Sequence, residues 1–178
     1  MTAEPRTRPQ PQPGGALDTI GAEDGLALET QLCFALYSAT LALGKTYAPV
    51  LAGMGLTYPQ YLVMLVLWQE DGLTVRELGA RLHLESGTLT PMLKRMERAG
   101  LVSRSRDTDD ERLVRTRLTQ PGRDLRTQAV QVPCTIAEAM GLPVDRLMQV
   151  RDDLLAIRQA MEAAATPASP QGDQLGRP

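Results

Sequence analysis

Apolar residues recur at helical spacing through most of the middle of the chain. Between Leu26 and Ala52 they fall at Leu28, Leu32, Ala35, Leu36, Ala39 and Leu43, which predicts one helix over 26–52. Gly44 weakens its continuity, and Gly53 and Gly55 end it. Thr57 with Gln60 resembles a capping box, and Pro59 fits the first turn of a second helix reaching about Gln69. Thr74 with Glu77 repeats that signature, and Val75, Leu78, Gly79 and Leu82 line one face of a short third helix. Ser86 is the expected N-cap of a fourth. There Leu89, Met92, Leu93 and Met96 repeat at i, i+3, i+4, i+7 as a buried stripe, and Gly100 stands just past its end.

After Gly100 the period shortens. Residues 101–104 and 113–118 read as two short strands joined by a polar turn at 107–111. Thr119 opens another helix, with Pro121 in its first turn and Leu125, Ala129 and Val132 following; Pro133 should kink it or end it. A last helix, about 144–163, places Leu147, Val150, Leu154, Ile157 and Met161 on one stripe. The predicted order is four helices, a hairpin and two helices. Two helices joined by a tight turn, then a hairpin, make a winged helix-turn-helix, so the fold class is mainly α with a β-hairpin wing. The helices at 26–52, 119–139 and 144–163 carry apolar stripes outside that compact lobe. Such a surplus is best buried against a second copy, which predicts a homodimer.

Composition adds boundaries. With one Phe and one Trp in 178 residues, the core must be Leu, Val, Met and Ala, which suits packed helices. Residues 1–20 (Pro-, Gln- and Gly-rich at their start) and 166–178 (with Pro167, Pro170 and Pro178) read as disordered tails around a folded domain at 21–165. No apolar run approaches the roughly 20 residues that span a bilayer. With no hydrophobic signal core and only two cysteines, the expectation is a cytoplasmic protein without membrane contact.

A net charge of -2 does not advertise nucleic acid, but the distribution does. Eight of the 19 basic residues lie at 94–117: Lys94, Arg95, Arg98, Arg104, Arg106, Arg112, Arg115 and Arg117. The second helix of a helix-turn-helix enters the major groove of double-stranded DNA by its N-terminal end. Here that end is Ser86, Gly87, Thr88 and Thr90, with Lys94 and Arg95 further along for phosphate and Arg98 at a solvated end. Arg112 beside the hairpin turn suits a minor groove. Asp110 and Glu111 are either a solvated turn or carboxylates that orient Arg112 by an ion pair. Two recognition helices in a dimer, roughly 34–36 Å apart, imply a pseudo-palindromic operator. A winged helix used for protein contacts is the alternative.

All six aromatic residues, Phe34, Tyr37, Tyr47, Tyr58, Tyr61 and Trp68, lie in the 35 residues after Cys33. Tyr37 is one helical turn from Cys33, and a phenol that donates to a thiolate favours the charged form. The chain thus reads as a reactive thiol attached to a DNA reader; an ordinary buried cysteine is the other reading. Cys134 follows Pro133, at the end of the helix that begins near Thr119. His83, the single histidine, has no zinc-ligand spacing with the two cysteines and reads as a core-edge or linker residue. Met64 and Trp68 fit core packing. No cofactor or metal is expected.

Three strings carry a specific resemblance: Leu32-Cys33-Phe34-Ala35-Leu36-Tyr37, Thr57-Tyr58-Pro59-Gln60-Tyr61-Leu62, and Leu84-Glu85-Ser86-Gly87-Thr88-Leu89-Thr90-Pro91-Met92-Leu93-Lys94-Arg95-Met96-Glu97. With Asp109-Asp110-Glu111-Arg112 as the wing, they resemble the organic hydroperoxide resistance regulators (OhrR), a branch of the MarR family, over roughly residues 26–160. The resemblance implies a MarR-like homodimeric repressor of a thiol-dependent peroxidase gene. Organic hydroperoxide is its inducer, oxidising Cys33 and releasing the protein from DNA. It further implies that Tyr47 and Tyr58 hydrogen-bond to the thiolate across the dimer, that Tyr37 joins that pocket, and that Arg112 is the wing arginine with Asp110 beside it. Two-cysteine members place a resolving thiol beyond the position of Cys134, deeper in the dimerisation region; Cys134 is the candidate for that role here. Two other functions stay open: a MarR-type regulator released by a small phenolic ligand, and a small thiol peroxidase using Cys33, which would leave the wing and its arginines unexplained.

Overall fold

The computed structural model describes residues 26–107, 110 and 112–165. The expected tails at 1–20 and 166–178, and the turn residues Thr108, Asp109 and Glu111, lie outside the described residues. The chain forms two compact units, Met1–Pro49 and Val50–Pro178. In the first, a 3-10 turn (Leu28–Thr30) precedes α1 (Leu32–Ala52), whose last three residues belong to the second unit and which Gly44 does not interrupt. The helix expected from residue 26 starts later because Gln31 is extended and the Thr30 hydroxyl closes on the Ala27 carbonyl at 2.8 Å.

The second unit holds the reader. A capping box opens α2 (Tyr58–Gln69), with the Thr57 N–H donating to Gln60 Oε1 at 2.9 Å and Pro59 in the first turn. Its Met64 and Leu67 are buried, and Tyr61 meets Trp68 edge-to-face. Strand β1 (Leu73–Thr74) leads directly into α3 (Val75–Leu82). Thr74 caps α3 reciprocally with Glu77: its N–H donates to Glu77 Oε2 at 2.7 Å, and the Glu77 N–H donates to Thr74 Oγ1 at 3.2 Å. The bond from the Thr74 backbone, then the one from its hydroxyl, hold the Glu77 carboxyl below its ordinary range. A lowered carboxyl contributes stability above the ordinary glutamate range and loses it as pH falls through the lowered value. Gln at this position can keep the capping bonds but loses the charge, so Glu77→Gln should be slightly less stable than the parent at pH 7, and the gap should close in acid. Urea unfolding at neutral and acid pH checks this, and a gap of the same size at both refutes it.

The turn into α4 (Ser86–Arg98) is closed by His83, in the left-handed region at φ 53, with the Leu84 N–H bonded to the Gly79 carbonyl at 3.0 Å. A Cβ on Gly79 would lie 2.6 Å from the Leu84 carbonyl oxygen, so this close turn requires glycine there. The N-cap of α4 is Glu85, not Ser86, which is the first helical residue. The Glu85 carbonyl accepts from Thr88 and Leu89, and its charge is favourable at the positive end of the helix. The stripe of Leu89, Met92, Leu93 and Met96 is buried, as its spacing predicts.

The wing is β2 (Val102–Arg106) and β3 (Val114–Leu118), antiparallel, with Val102 opposite Leu118 and Arg106 opposite Val114. The sheet has a third strand that the sequence reading lacks. Leu73 and Thr74 of β1 pair with Thr116 and Arg115, giving the order β1-β3-β2. Thr119 caps α5 (Gln120–Ala129), accepting from the Gly122 N–H at 3.2 Å. The helix over 119–139, expected to kink or end at Pro133, is two helices, broken at Val130 and Gln131, with α6 (Val132–Met140) starting after the break. Pro133 lacks an N–H and its ring would strike the Ala129 carbonyl, so the break falls before it and Pro133 enters the first turn of α6. Cys134 consequently opens a helix instead of ending one. The last helix is α7 (Val144–Ala165).

Candidate DNA-reading surface and sensor thiol

The first turn of α4 presents Ser86, Gly87 and Thr88 to solvent, with Thr90 half-buried behind them. Lys94, Arg95 and Arg98 are exposed away from the buried stripe. Between α3, the start of α4 and the wing lies an open concavity of about 910 Å³, whose lining includes Arg76, Ser86, Thr90, Arg104 and Arg112. Hydroxyls and guanidinium groups on one concave face suit a polyanion.

The eight clustered basic residues do not share one job. Arg115 pairs through Nε with Asp107 and donates from Nη1 to the Gly72 carbonyl at 3.0 Å, stitching the wing to the chain before β1. Asp107 is buried (7% exposed), and its Oδ1 accepts the Asp110 N–H at 3.1 Å. Arg104 is held against Glu97 of α4, its backbone N–H donating to Glu97 Oε1 at 3.0 Å. Arg112 is exposed at the turn. The contact from Asp110 to Arg112 runs to the backbone: Asp110 Oδ1 accepts the Arg112 N–H at 3.0 Å, which shapes the turn that carries the side chain. Sequence reasoning missed Asp107, because an aspartate in an acidic turn gives no sign of which neighbour it will grip.

Cys33 is exposed in the first turns of α1, as is Tyr37 one turn on; Tyr47 lies further along the same helix, half-buried. These three belong to the first unit, and Tyr58 and Cys134 to the second. Tyr58 is the first residue of α2, and burial pushes its phenol above the ordinary range, so it stays protonated and able to donate at neutral pH. Cys134 is exposed in the first turn of α6. Neither thiol is an ordinary buried cysteine within the chain. Exposed apolar side chains mark three helices: Leu32, Tyr37 and Leu41 on α1, Met140 on α6, and Val144, Met148, Leu154 and Met161 on α7. Among the described residues, no cluster of three or more His, Cys, Asp or Glu suits a metal ion, and no helix is long and apolar enough to cross a membrane.

The pattern of the MarR family matches residues 56–114, from just before α2 to the start of β3. The HTH-type transcriptional regulator TtmR of Methylorubrum extorquens (strain PA1) is 48% identical over 149 residues, covering 84% of this chain and 76% of that protein. The organic hydroperoxide resistance transcriptional regulator of Bacillus subtilis (strain 168) is 44% identical over 138 residues, covering 78% of this chain and 94% of that one. Among solved structures, reduced AbfR bound to DNA matches with a TM-score of 0.68 at 33% identity, covering 78% of this chain and 95% of that chain. AbfR, from Staphylococcus epidermidis, has also been solved with a disulfide formed, and that state matches with a TM-score of 0.54, covering 80% of this chain and 94% of that one. Shared sequence over most of the chain and a shared winged helix-turn-helix lead to one conclusion: the protein belongs to the MarR family, as a DNA-binding transcriptional regulator closely related to the organic hydroperoxide resistance regulators and AbfR.

Proposed function

We propose that the chain is a homodimeric cytoplasmic repressor that releases a pseudo-palindromic operator when an organic hydroperoxide oxidises Cys33. The observation that carries this reading is the exposed Cys33 thiol in a chain so close to a named hydroperoxide-resistance regulator. The thiolate attacks one peroxide oxygen, the O–O bond breaks, and the departing alkoxide takes a proton to become the alcohol; sulfur is left as sulfenic acid. Tyr37, Tyr47 and Tyr58 serve as phenol donors that favour the thiolate beforehand. The exposed apolar residues of α1, α6 and α7 bury against a second copy, since a lone chain rarely leaves such faces wet. Ser86, Gly87, Thr88 and Thr90 then read bases in the major groove, Lys94 and Arg95 meet phosphate, and Arg112, presented by the Asp110 turn, enters the minor groove. Cys134 of the other subunit condenses with the sulfenic acid, forming a disulfide and releasing water.

The test uses a duplex that the reduced parent selects from a random-sequence pool. Cumene hydroperoxide should release it from the parent and leave it bound to Cys33→Ser. Release from Cys33→Ser at the parental dose overturns the reading. On non-reducing gels the treated parent should run as a covalent dimer and Cys134→Ser as a monomer; a monomeric parent assigns sensing to Cys33 alone.

A further inference from the structure

His83 is the single non-glycine residue with positive φ among the described residues, at φ 53 and ψ 41. An L side chain in this region is strained, least for asparagine, and glycine avoids the strain. The turn itself needs no imidazole, because backbone N–H groups of His83 and Leu84 both bond to the Gly79 carbonyl. The ring is used elsewhere, on α7. Arg158 Nη1 donates to its Nε2 at 2.7 Å, and Glu162 Oε1 lies 3.4 Å from its Nδ1. Arg158 and Glu162 are one turn apart on α7, with Arg158 Nε 3.7 Å from Glu162 Oε1. With Nε2 accepting, the ring proton sits on Nδ1 towards the carboxylate, so both nitrogens are engaged.

We propose that His83, Arg158 and Glu162 are positioning residues: a tie that sets the angle of the recognition helix against α7. The contact joins residues 75 apart in sequence and ends three residues before Ser86, where α4 begins. It rests on the dimeric reading above, in which α7 belongs to the subunit interface. If α7 is fixed to a partner, the tie fixes how far apart and at what angle the two α4 helices stand. All three side chains are about half exposed. Exposed charge contacts contribute little to folding, so the effect falls on how rigidly half-site spacing is read.

The experiment uses the full reduced chain and two duplexes, the one the parent selects from a random pool and the same duplex with one base pair inserted between half-sites. The parent should bind the lengthened duplex about tenfold or more weakly. Arg158→Met and His83→Asn, the latter keeping a residue tolerant of the left-handed turn, should bind the selected duplex about fivefold more weakly than the parent. Their penalty for the inserted base pair should shrink to about threefold or less. The double variant should match either single one, because the two changes cut the same tie. Glu162→Gln, which keeps its shape and drops its charge, should fall between. A role in stability alone would lower the unfolding midpoint without touching the spacing penalty, so a parental penalty in the variants overturns the tie. A parent that selects no duplex, or one with a single half-site, overturns the dimeric reading and the tie with it.

Discussion

Gly122→Ala should lower stability by about 3 kcal/mol, although alanine is the better helix former by about 1 kcal/mol. The Cβ would stand 2.1 Å from the Leu101 carbonyl oxygen, far inside any permitted contact, and 3.3 Å from Leu118 Cδ2. That oxygen cannot retreat cheaply, because it accepts the Thr119 N–H at 3.1 Å. Nor can α5 slide freely, because the Gly122 carbonyl accepts Trp68 Nε1 at 2.9 Å. Displacing either partner breaks a bond at the point where β2, β3 and α5 converge. Gly87→Ala is the control: no atom lies within 4 Å of its added Cβ, so the helix-propensity gain of up to about 1 kcal/mol should survive. Urea unfolding of the two variants should shift in opposite directions. A Gly122 variant as stable as the parent would mean that the close approach is absent in solution.

Asp107→Ala should cost about 2 kcal/mol and weaken DNA binding as well. Removing one partner of a fully buried ion pair costs about 3–5 kcal/mol. Here the Arg115 side chain is 34% exposed and keeps its bond to Gly72, which reduces the penalty. The carboxylate also accepts the Asp110 N–H, so its loss loosens the turn that presents Arg112. Arg112→Ala should behave differently. It removes an exposed side chain, leaves stability within about 0.5 kcal/mol, and lowers the slope of log affinity against log salt by about one. Paired denaturation and salt titrations separate an arginine that builds the wing from one that meets DNA. If Asp107→Ala matches the parent in both measurements, Arg115 is not the anchor of the wing.

The features legible in the chain were those that neighbours in sequence decide. Thr57 with Gln60, and Thr74 with Glu77, announce helix starts because both halves of each capping box lie within one turn. The stripe from Leu89 to Met96 announces its buried face by spacing alone. Other elements needed a partner. Two residues cannot show a period, so β1 exists only because β3 offers Thr116 and Arg115 to pair with. The interruption that Pro133 announces was legible because it too is local; its place ahead of the proline, at Val130 and Gln131, was not, and that moves Cys134 to the head of α6. For the candidate site, the order of Cys33, Tyr37 and Tyr47 on one helix was readable, whereas Tyr58 and Cys134 come from separate elements.

Most helices, the place of the turn and wing, and the residue types available to read DNA or react with peroxide were legible in the chain alone. Local bonds, side-chain volume and periodicity suffice for that. How the arginines divide depends on the folded arrangement. Arg115 and Arg104 became scaffold because strand pairing and the approach of α4 bring Asp107 and Glu97 beside them, whereas Arg112 was left at the exposed turn. Likewise, nothing near His83 in sequence marks it. Its meaning comes from α7 returning 75 residues later, since a hydrogen bond depends on distance in space and not along the chain.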